Sequence, residues 1–231
     1  MSTVSLDEFL KPFSAALGHT QVPESVDPFS VDESCQFVIG NAMTQDEVIE
    51  KFLLEAGKIG VRVVETTEDA LGAAIARTAS EMDGSKVLVA DVPEVDACGL
   101  EAALLAADLE PVRWNAEAGR QEVHLAQDSD VGVTFAFAGI AETGSVMQKT
   151  SVGSGRSICT IPASHIAVVR RSMVFARMGN ALDALSKSVE GSEMPSNVTV
   201  VSGPSATADI ELVRVVGVHG PVHTAIVLVN D

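Results

Sequence analysis

The chain has 231 residues, 46% of them hydrophobic, and a formal net charge of −17. That length and apolar content suffice for one large α/β core, while the acid excess excludes the basic footprint of a nucleic-acid binder. No stretch reaches the ~18 unbroken apolar residues of a membrane span.

The opening MSTVSLDEFLK lacks the basic region and apolar core of a secretory signal. Cys35, Cys98 and Cys159 are widely spaced and odd in number, which suits reduced thiols better than a disulfide framework. A cytoplasmic protein is therefore expected. The charge is unevenly placed: residues 1–130 hold 25 Asp and Glu against 8 Lys and Arg, whereas residues 131–231 hold 7 of each. The acidic first half reads as a solvated face, and the neutral second half is electrostatically open to an anion.

In chain order, residues 5–17 (SLDEFLKPFSAAL) predict a short helix. Ser5 and Glu8 have capping-box spacing, and Pro12 is expected to kink or shorten the helix. Residues 18–43, with Pro23 and Pro28, read as a linker, so 1–43 forms an arm ahead of a domain over 44–231. Thr44 and Glu47 repeat the capping-box spacing before an apolar face of Val48, Phe52 and Leu53, and Gly57 and Gly60 supply a stop.

A strand over 61–64, a helix over 67–81, a strand over 86–90 and a helix over 99–107 follow. Residues 112–114 predict a strand, 117–126 a helix and 131–138 a strand. Short Val-rich strands alternating with helices are the signature of parallel β/α units. After Ala138 the rhythm changes. Residues 145–148, 157–161 and 165–169 read as strands too close for helices between them, so a strand-rich insertion is expected. Residues 177–188 return to helix and 197–202 to strand. A short helix over 207–212 follows the Gly203-Pro204 turn, and a last strand covers 224–229. The predicted architecture is α/β, a mainly parallel sheet covered by helices.

The stretch from Ala138 to Val169 concentrates reactive side chains among small residues. Glu142, between an apolar run and Gly144, sits where a carboxylate serves as base, nucleophile or binding group. Thr143 and Ser145 supply hydroxyls, and the Gly144 amide is placed to face negative charge. Gly153-Ser154-Gly155-Arg156 sets permissive backbone beside one guanidinium, the composition of a carboxylate or phosphate cradle. It is neither a dinucleotide fingerprint nor a P-loop. His165, ahead of an IAVV strand, is a candidate base if the fold brings it to Glu142.

Further on, Ser205 or Thr207 is placed to cap a helix whose first turn holds Asp209, and free amides there suit an anion. Asp209 and Glu211 are candidates to orient Arg156 or His165, and His219 stands in a glycine-flanked turn. Each feature has a bland counterpart: a capping Glu, a tight turn with a surface Arg, a core His. The donors lack HExxH or other tight metal-ligand spacing, the cysteines lack iron–sulfur spacing, and no GxSxG elbow is present.

Taken together and in order, FAFAGIAETGSV, GSGR, PASHIAVV and SGPSATADIELVRVVGVHGP closely resemble the lactate-utilisation protein C family, a single LUD domain. The resemblance is strong over 131–229 and looser over 44–130. It implies a NagB/RpiA/CoA-transferase-like fold, a three-layer α/β/α sandwich with a mainly parallel sheet. It also implies a cytoplasmic component of L-lactate oxidation to pyruvate, working with iron–sulfur partner subunits that hold the clusters, with none in this chain. Glu142, Thr143, Gly144, Gly153, Gly155, Arg156, His165, Thr207, Asp209, Glu211 and His219 match family motif positions, while Ser145 stands where many relatives have Thr.

Glu142-Thr143-Gly144 is also similar to the turn that carries the acyl-accepting Glu of class I CoA-transferases, with Thr where those have Asn. Three readings follow: a subunit whose polar crevice binds a small carboxylate or a partner's loop, an acyl-transfer enzyme with Glu142 as nucleophile, or a structural module of a homodimer. The functional readings place Glu142, Arg156, His165 and Asp209 around one polar cavity.

Overall fold

The computed structural model describes residues 5–22, 42–191, 194–209 and 212–231. Most of the expected linker, including Pro23 and Pro28, lies outside the described residues, as do Cys35 and Glu211. The chain divides into two compact units, residues 1–33 and 34–231.

In the first unit, helix α1 (Leu6–Ala16) starts at Ser5, whose hydroxyl accepts from the Glu8 amide at 3.2 Å in a closed capping box. Pro12 lies inside the helix and does not end it. Leu6, Phe9, Phe13 and Leu17 leave an exposed apolar stripe along it.

The second unit opens with α2 (Gln45–Lys58), capped by Thr44 and Glu47 as their spacing predicts. Then come β1 (Arg62–Thr67), α3 (Leu71–Glu81), β2 (Lys86–Val89), α4 (Pro93–Ala97), α5 (Leu100–Ala106), β3 (Glu110–Arg113), α6 (Gln121–Gln127) and β4 (Val131–Phe135). The second half adds β5 (Ala138–Ile140), β6 (Ser145–Lys149), α7 (Ser157–Thr160), β7 (Ser164–Arg170), β8 (Val174–Phe175), α8 (Met178–Ser188) and β9 (Val198–Val201). A small hairpin, β10 (Ala206–Thr207) and β11 (Val215–Val216), precedes the final strand β12 (His223–Asn230).

Six strands form one sheet in the order β1-β12-β7-β4-β2-β3, every neighbouring pair parallel. Both faces are buried, which explains its near-continuous Val, Ile and Leu runs. Along β7, Ile166 and Val168 point to one face and pack with Ile75 of α3 and Leu100 and Leu104 of α5. Ala167 and Val169 point to the other, where they meet Phe52 of α2 and Val146 of β6. Helices thus cover both faces of the parallel sheet.

The strand-rich part is a second, mixed sheet, β8-β5-β6-β9, laid over the α2 face. Three local expectations are corrected. Residues 131–138 are not one strand: β4 ends at Phe135, and the chain crosses to the second sheet, where the Phe137 amide bonds Met147 O. Residues 157–160 are helical, because Ile158 buries one side of a short turn against Leu88 and Ala126 and pairs with no strand. Around Thr207 there is a hairpin strand rather than a helix, since the Val215–Val216 pair offers Ala206–Thr207 an antiparallel partner.

Candidate functional site

The turn between β5 and β6 holds the first candidate group. Glu142 accepts hydrogen bonds from Arg177 Nε and from the amide of Met178, the first residue of α8, both at 2.9 Å. It therefore caps that helix from across the fold, satisfying a donor that the helix leaves open and placing a negative charge at its amino end. Burial pushes the Glu142 carboxyl up, but the Met178 amide, Arg177 and Lys51 together hold it below the usual carboxylate range. Gly144, at φ +62°, is pressed on α2: a Cβ there would stand 2.2 Å from the Ala56 nitrogen. The buried Ser145 hydroxyl donates to Thr143 Oγ1 at 2.7 Å and lies 2.6 Å from Ser202 Oγ.

His165, the second residue of β7, is buried between the sheets. Its Nε2 lies 2.8 Å from Thr134 Oγ1 on β4, and Gln148 Nε2 on β6 donates to the same hydroxyl at 2.7 Å. With Gln148 donating, the Thr134 hydroxyl proton is available to a neutral imidazole. Burial lowers the His165 pKa to about 4, in keeping with that neutral form. Beside it in register, Thr224 Oγ1 is buried with no hydrogen-bond partner among the described residues. A cavity of about 10 Å³, room for a single water, touches both residues.

A larger cavity, about 280 Å³, opens at the carboxyl ends of the parallel strands. Phe135, Arg170 and Val229 bring the ends of β4, β7 and β12 to it. This is the edge where open parallel α/β sheets hold their ligands. Lys149, Ser151 and Ser154 are among its polar lining groups, and Arg170 is tied up in an ion pair with Glu68. Lys149 Nζ sits 5.2 Å from the centre of the Phe137 ring and has no ion-pair partner among the described residues. Lys149 and Ser154 also line an adjoining space of about 10 Å³ with Thr134, Gln148, Arg156 and Cys159. Arg156 too has no ion pair among the described residues. Burial pushes the Cys159 thiol up, so it stays protonated near neutrality.

The glycine turn that follows β6 is fitted against the ends of β2 and β3. A Cβ on Gly153 would stand 1.8 Å from Asp91 O, and one on Gly155 2.2 Å from the Trp114 ring. Asp91 N donates to Gly153 O at 2.7 Å, and Trp114 Nε1 donates to Val152 O at 3.0 Å. Ser151 and Ser154 exchange backbone hydrogen bonds of 3.1 and 3.2 Å. The glycines therefore let the loop dock closely, which fixes Ser154 and Arg156 beside Lys149.

The structure brings Gly155, Arg156 and Ser154 together at the carboxyl edge, and His165 reaches them only through Thr134. Glu142 lines neither Arg156's cavity nor His165's. It lies before the start of β6 and Arg156 beyond its end; the five steps from Gly144 to Lys149 span roughly 16 Å. Asp209 is exposed near the small hairpin, where it accepts from Thr207 Oγ1 at 3.2 Å in a local turn. The Ser205 amide bonds Pro221 O, and His219 is exposed. Ser205, Thr207, Asp209 and His219 line neither cavity that holds Lys149. Among the described residues no three His, Cys, Asp or Glu side chains gather as a metal site, and no helix is long and apolar enough to cross a membrane.

Sequence reading passes over Lys149, Thr134 and Gln148. Lys149 carries a usable signal: a cation four residues ahead of a glycine turn, in the half of the chain with no acid excess. Thr134 and Gln148 carry none, because only the stacking of two sheets makes them neighbours.

These features define an open parallel α/β domain with helices on both faces and a second sheet over one. The chain belongs to the LUD domain family, whose model matches residues 42–229. It is 32% identical over 230 residues to lactate utilization protein C of Geobacillus thermodenitrificans, covering 97% of this chain and 96% of that protein. To lactate utilization protein C of Bacillus subtilis it is 30% identical over 230 residues, with the same coverage. A solved DUF162 family protein from Deinococcus radiodurans shares the fold with a TM-score of 0.58 at 21% identity, over 81% of this chain and 99% of that one. The family and the mainly parallel architecture expected from the ordered motifs are those found.

Proposed function

We propose that this chain is a cytoplasmic, carboxylate-binding accessory subunit in the oxidation of L-lactate to pyruvate, acting with iron–sulfur partner proteins. Its relatives carry the name lactate utilization protein C, which supports a place in lactate utilisation. One observation carries the binding role. Lys149 and Arg156, neither ion-paired among the described residues, border adjoining cavities at the carboxyl edge. Arg62, Arg113, Arg170, Arg171 and Arg177 are paired with carboxylates, and although Arg77, Arg120 and Arg214 also lack ion pairs among the described residues, they line neither of these cavities.

A carboxylate entering the larger cavity meets Lys149, Ser151 and Ser154, with Arg156 across the small adjoining space, and charge-assisted hydrogen bonds to such groups are the strong ones. Lys149 and Arg156 are themselves exposed, so the attraction is partly screened by solvent and rests on direct charge-assisted contact. Lactate oxidation releases two electrons and two protons, and the partners' clusters suit the electron transfer. The chain's own part is to bind and orient the acid. Acyl transfer through Glu142 draws no support from this geometry, because both of its oxygens are engaged, by Arg177 and by the Met178 amide.

Reconstitution tests the proposal. Lactate-dependent reduction of an electron acceptor by the iron–sulfur partners is expected to require this chain, and to fall about tenfold or more when Lys149→Ala and Arg156→Ala are combined. The isolated chain is expected to show no such activity. Lactate oxidation by the isolated chain with an added acceptor would contradict the subunit role.

A further inference from the structure

The cavity at the carboxyl edge is larger and more apolar than a three-carbon acid requires. Its volume of about 280 Å³ far exceeds the ~10–15 Å³ that a single water needs. Its lining combines the polar Lys149, Ser151 and Ser154 with the apolar Leu71, Phe135, Phe137, Val168 and Met173. The other charged lining groups do not add a second anion site. Arg170 is neutralised by Glu68, and the exposed Glu94 repels further negative charge. Apolar walls favour only a ligand that brings apolar surface of its own.

We infer that the cavity is shaped for a monocarboxylate with a branched or aromatic tail, a 2-hydroxy or 2-oxo acid of which lactate is the smallest and weakest-binding member. Its carboxylate lies at Lys149, on the side toward Arg156 in the adjoining space, and its tail lies along Phe135, Phe137 and Met173. This rests on the carboxyl-edge cavity being the carboxylate site. Glu94 at the rim argues against dianions such as phosphate esters, and the apolar wall argues against short hydroxy acids as the best ligands.

Isothermal titration of the full chain with L-lactate, L-2-hydroxyisocaproate and L-3-phenyllactate holds the head group constant while the tail grows. The two larger acids are expected to bind at least about tenfold more tightly than lactate. In Lys149→Ala protein all three are expected to weaken by a similar factor, about tenfold. Lactate binding as tightly as the larger acids would overturn the inference while leaving the carboxylate site standing. Failure of all three to bind would overturn both. Unchanged affinities in the Lys149→Ala protein would overturn the placement of the carboxylate.

Discussion

The Glu142 carboxylate lies 2.9 Å from Arg177 Nε and joins the turn before β6 to the start of α8. Both side chains are mostly shielded, at 26% and 31% exposure. Replacing Glu142 with Ala removes the acceptor from Arg177 and from the Met178 amide, and is expected to cost about 1–3 kcal/mol of stability. Because the folded carboxyl sits below its ordinary value of 4.5, this contribution is present above that pH and is lost as pH falls through the folded value. Urea unfolding of both proteins is expected to differ at neutral pH and to converge in acid. Equal stability at pH 7 would contradict the capping role.

His165 should give the protein a second acid-sensitive contribution. Its pKa falls from 6.5 to about 4 on burial, so the fold disfavours the charged imidazole. The stability is complete above pH 6.5 and declines as pH falls toward 4, by about 2 kcal/mol between pH 6.5 and 5. Denaturant titrations across that window are expected to show the decline in the wild type and a flatter profile in His165→Gln. A wild-type curve with no slope there would contradict it.

Glu122 runs the other way. It is 2% exposed, Oε1 accepts from the Asn115 amide at 3.2 Å, and Oε2 has no partner among the described residues. Burial pushes its carboxyl up, so the folded state favours the protonated form. Stability is then fullest below the ordinary value of 4.5 and is lost as pH rises through the folded value. Glu122→Gln is expected to raise Tm at pH 7 by about 2–4 °C and to give no gain near pH 4. A lower Tm at pH 7 would contradict this.

The glycine turn can be read through Trp114, the chain's single tryptophan. A Cβ on Gly155 would overlap its ring at 2.2 Å, so Gly155→Ala is expected to displace the indole, red-shift its emission and cost about 1–3 kcal/mol. Gly57, in α2 with nothing within 4 Å of its built Cβ, is the contrast: Gly57→Ala is expected to be neutral or stabilising by up to about 1 kcal/mol. Unshifted emission in the Gly155 variant would mean that the turn does not rest on Trp114.

The layout of strands and helices was largely legible because fully buried parallel strands read as short runs of Val, Ile and Leu, as in Lys86–Val89 and Ser164–Arg170. What escaped depends on partners far away in sequence. Ile158 and Cys159 are apolar enough for strand or helix, and only the packing of Ile158 on Leu88 and Ala126 decides. Phe135 and Ala138 belong to different sheets, a break that no local pattern marks. At the site, Arg156 and Gly155 stood out through their own motif, and both line the small space adjoining the cavity. Glu142 stood out as strongly, yet its partners are Arg177 and Met178, some 35 residues onward. A glycine-flanked carboxylate looks the same in sequence whether it meets a ligand or the amino end of a helix. Lys149, by contrast, offers only its spacing from the glycine turn; its place follows from β6 ending at the edge where β4, β7 and β12 also end.

The central claim is that Lys149 and Arg156 together receive a carboxylate. The most direct measurement is calorimetric titration of L-3-phenyllactate into wild-type protein and the Lys149→Ala, Arg156→Ala and Glu142→Ala variants. Saturable binding is expected in the wild type and in Glu142→Ala, weakened about tenfold by either cation change alone. Affinity that ignores Lys149 and Arg156, or that depends on Glu142 instead, would contradict the account.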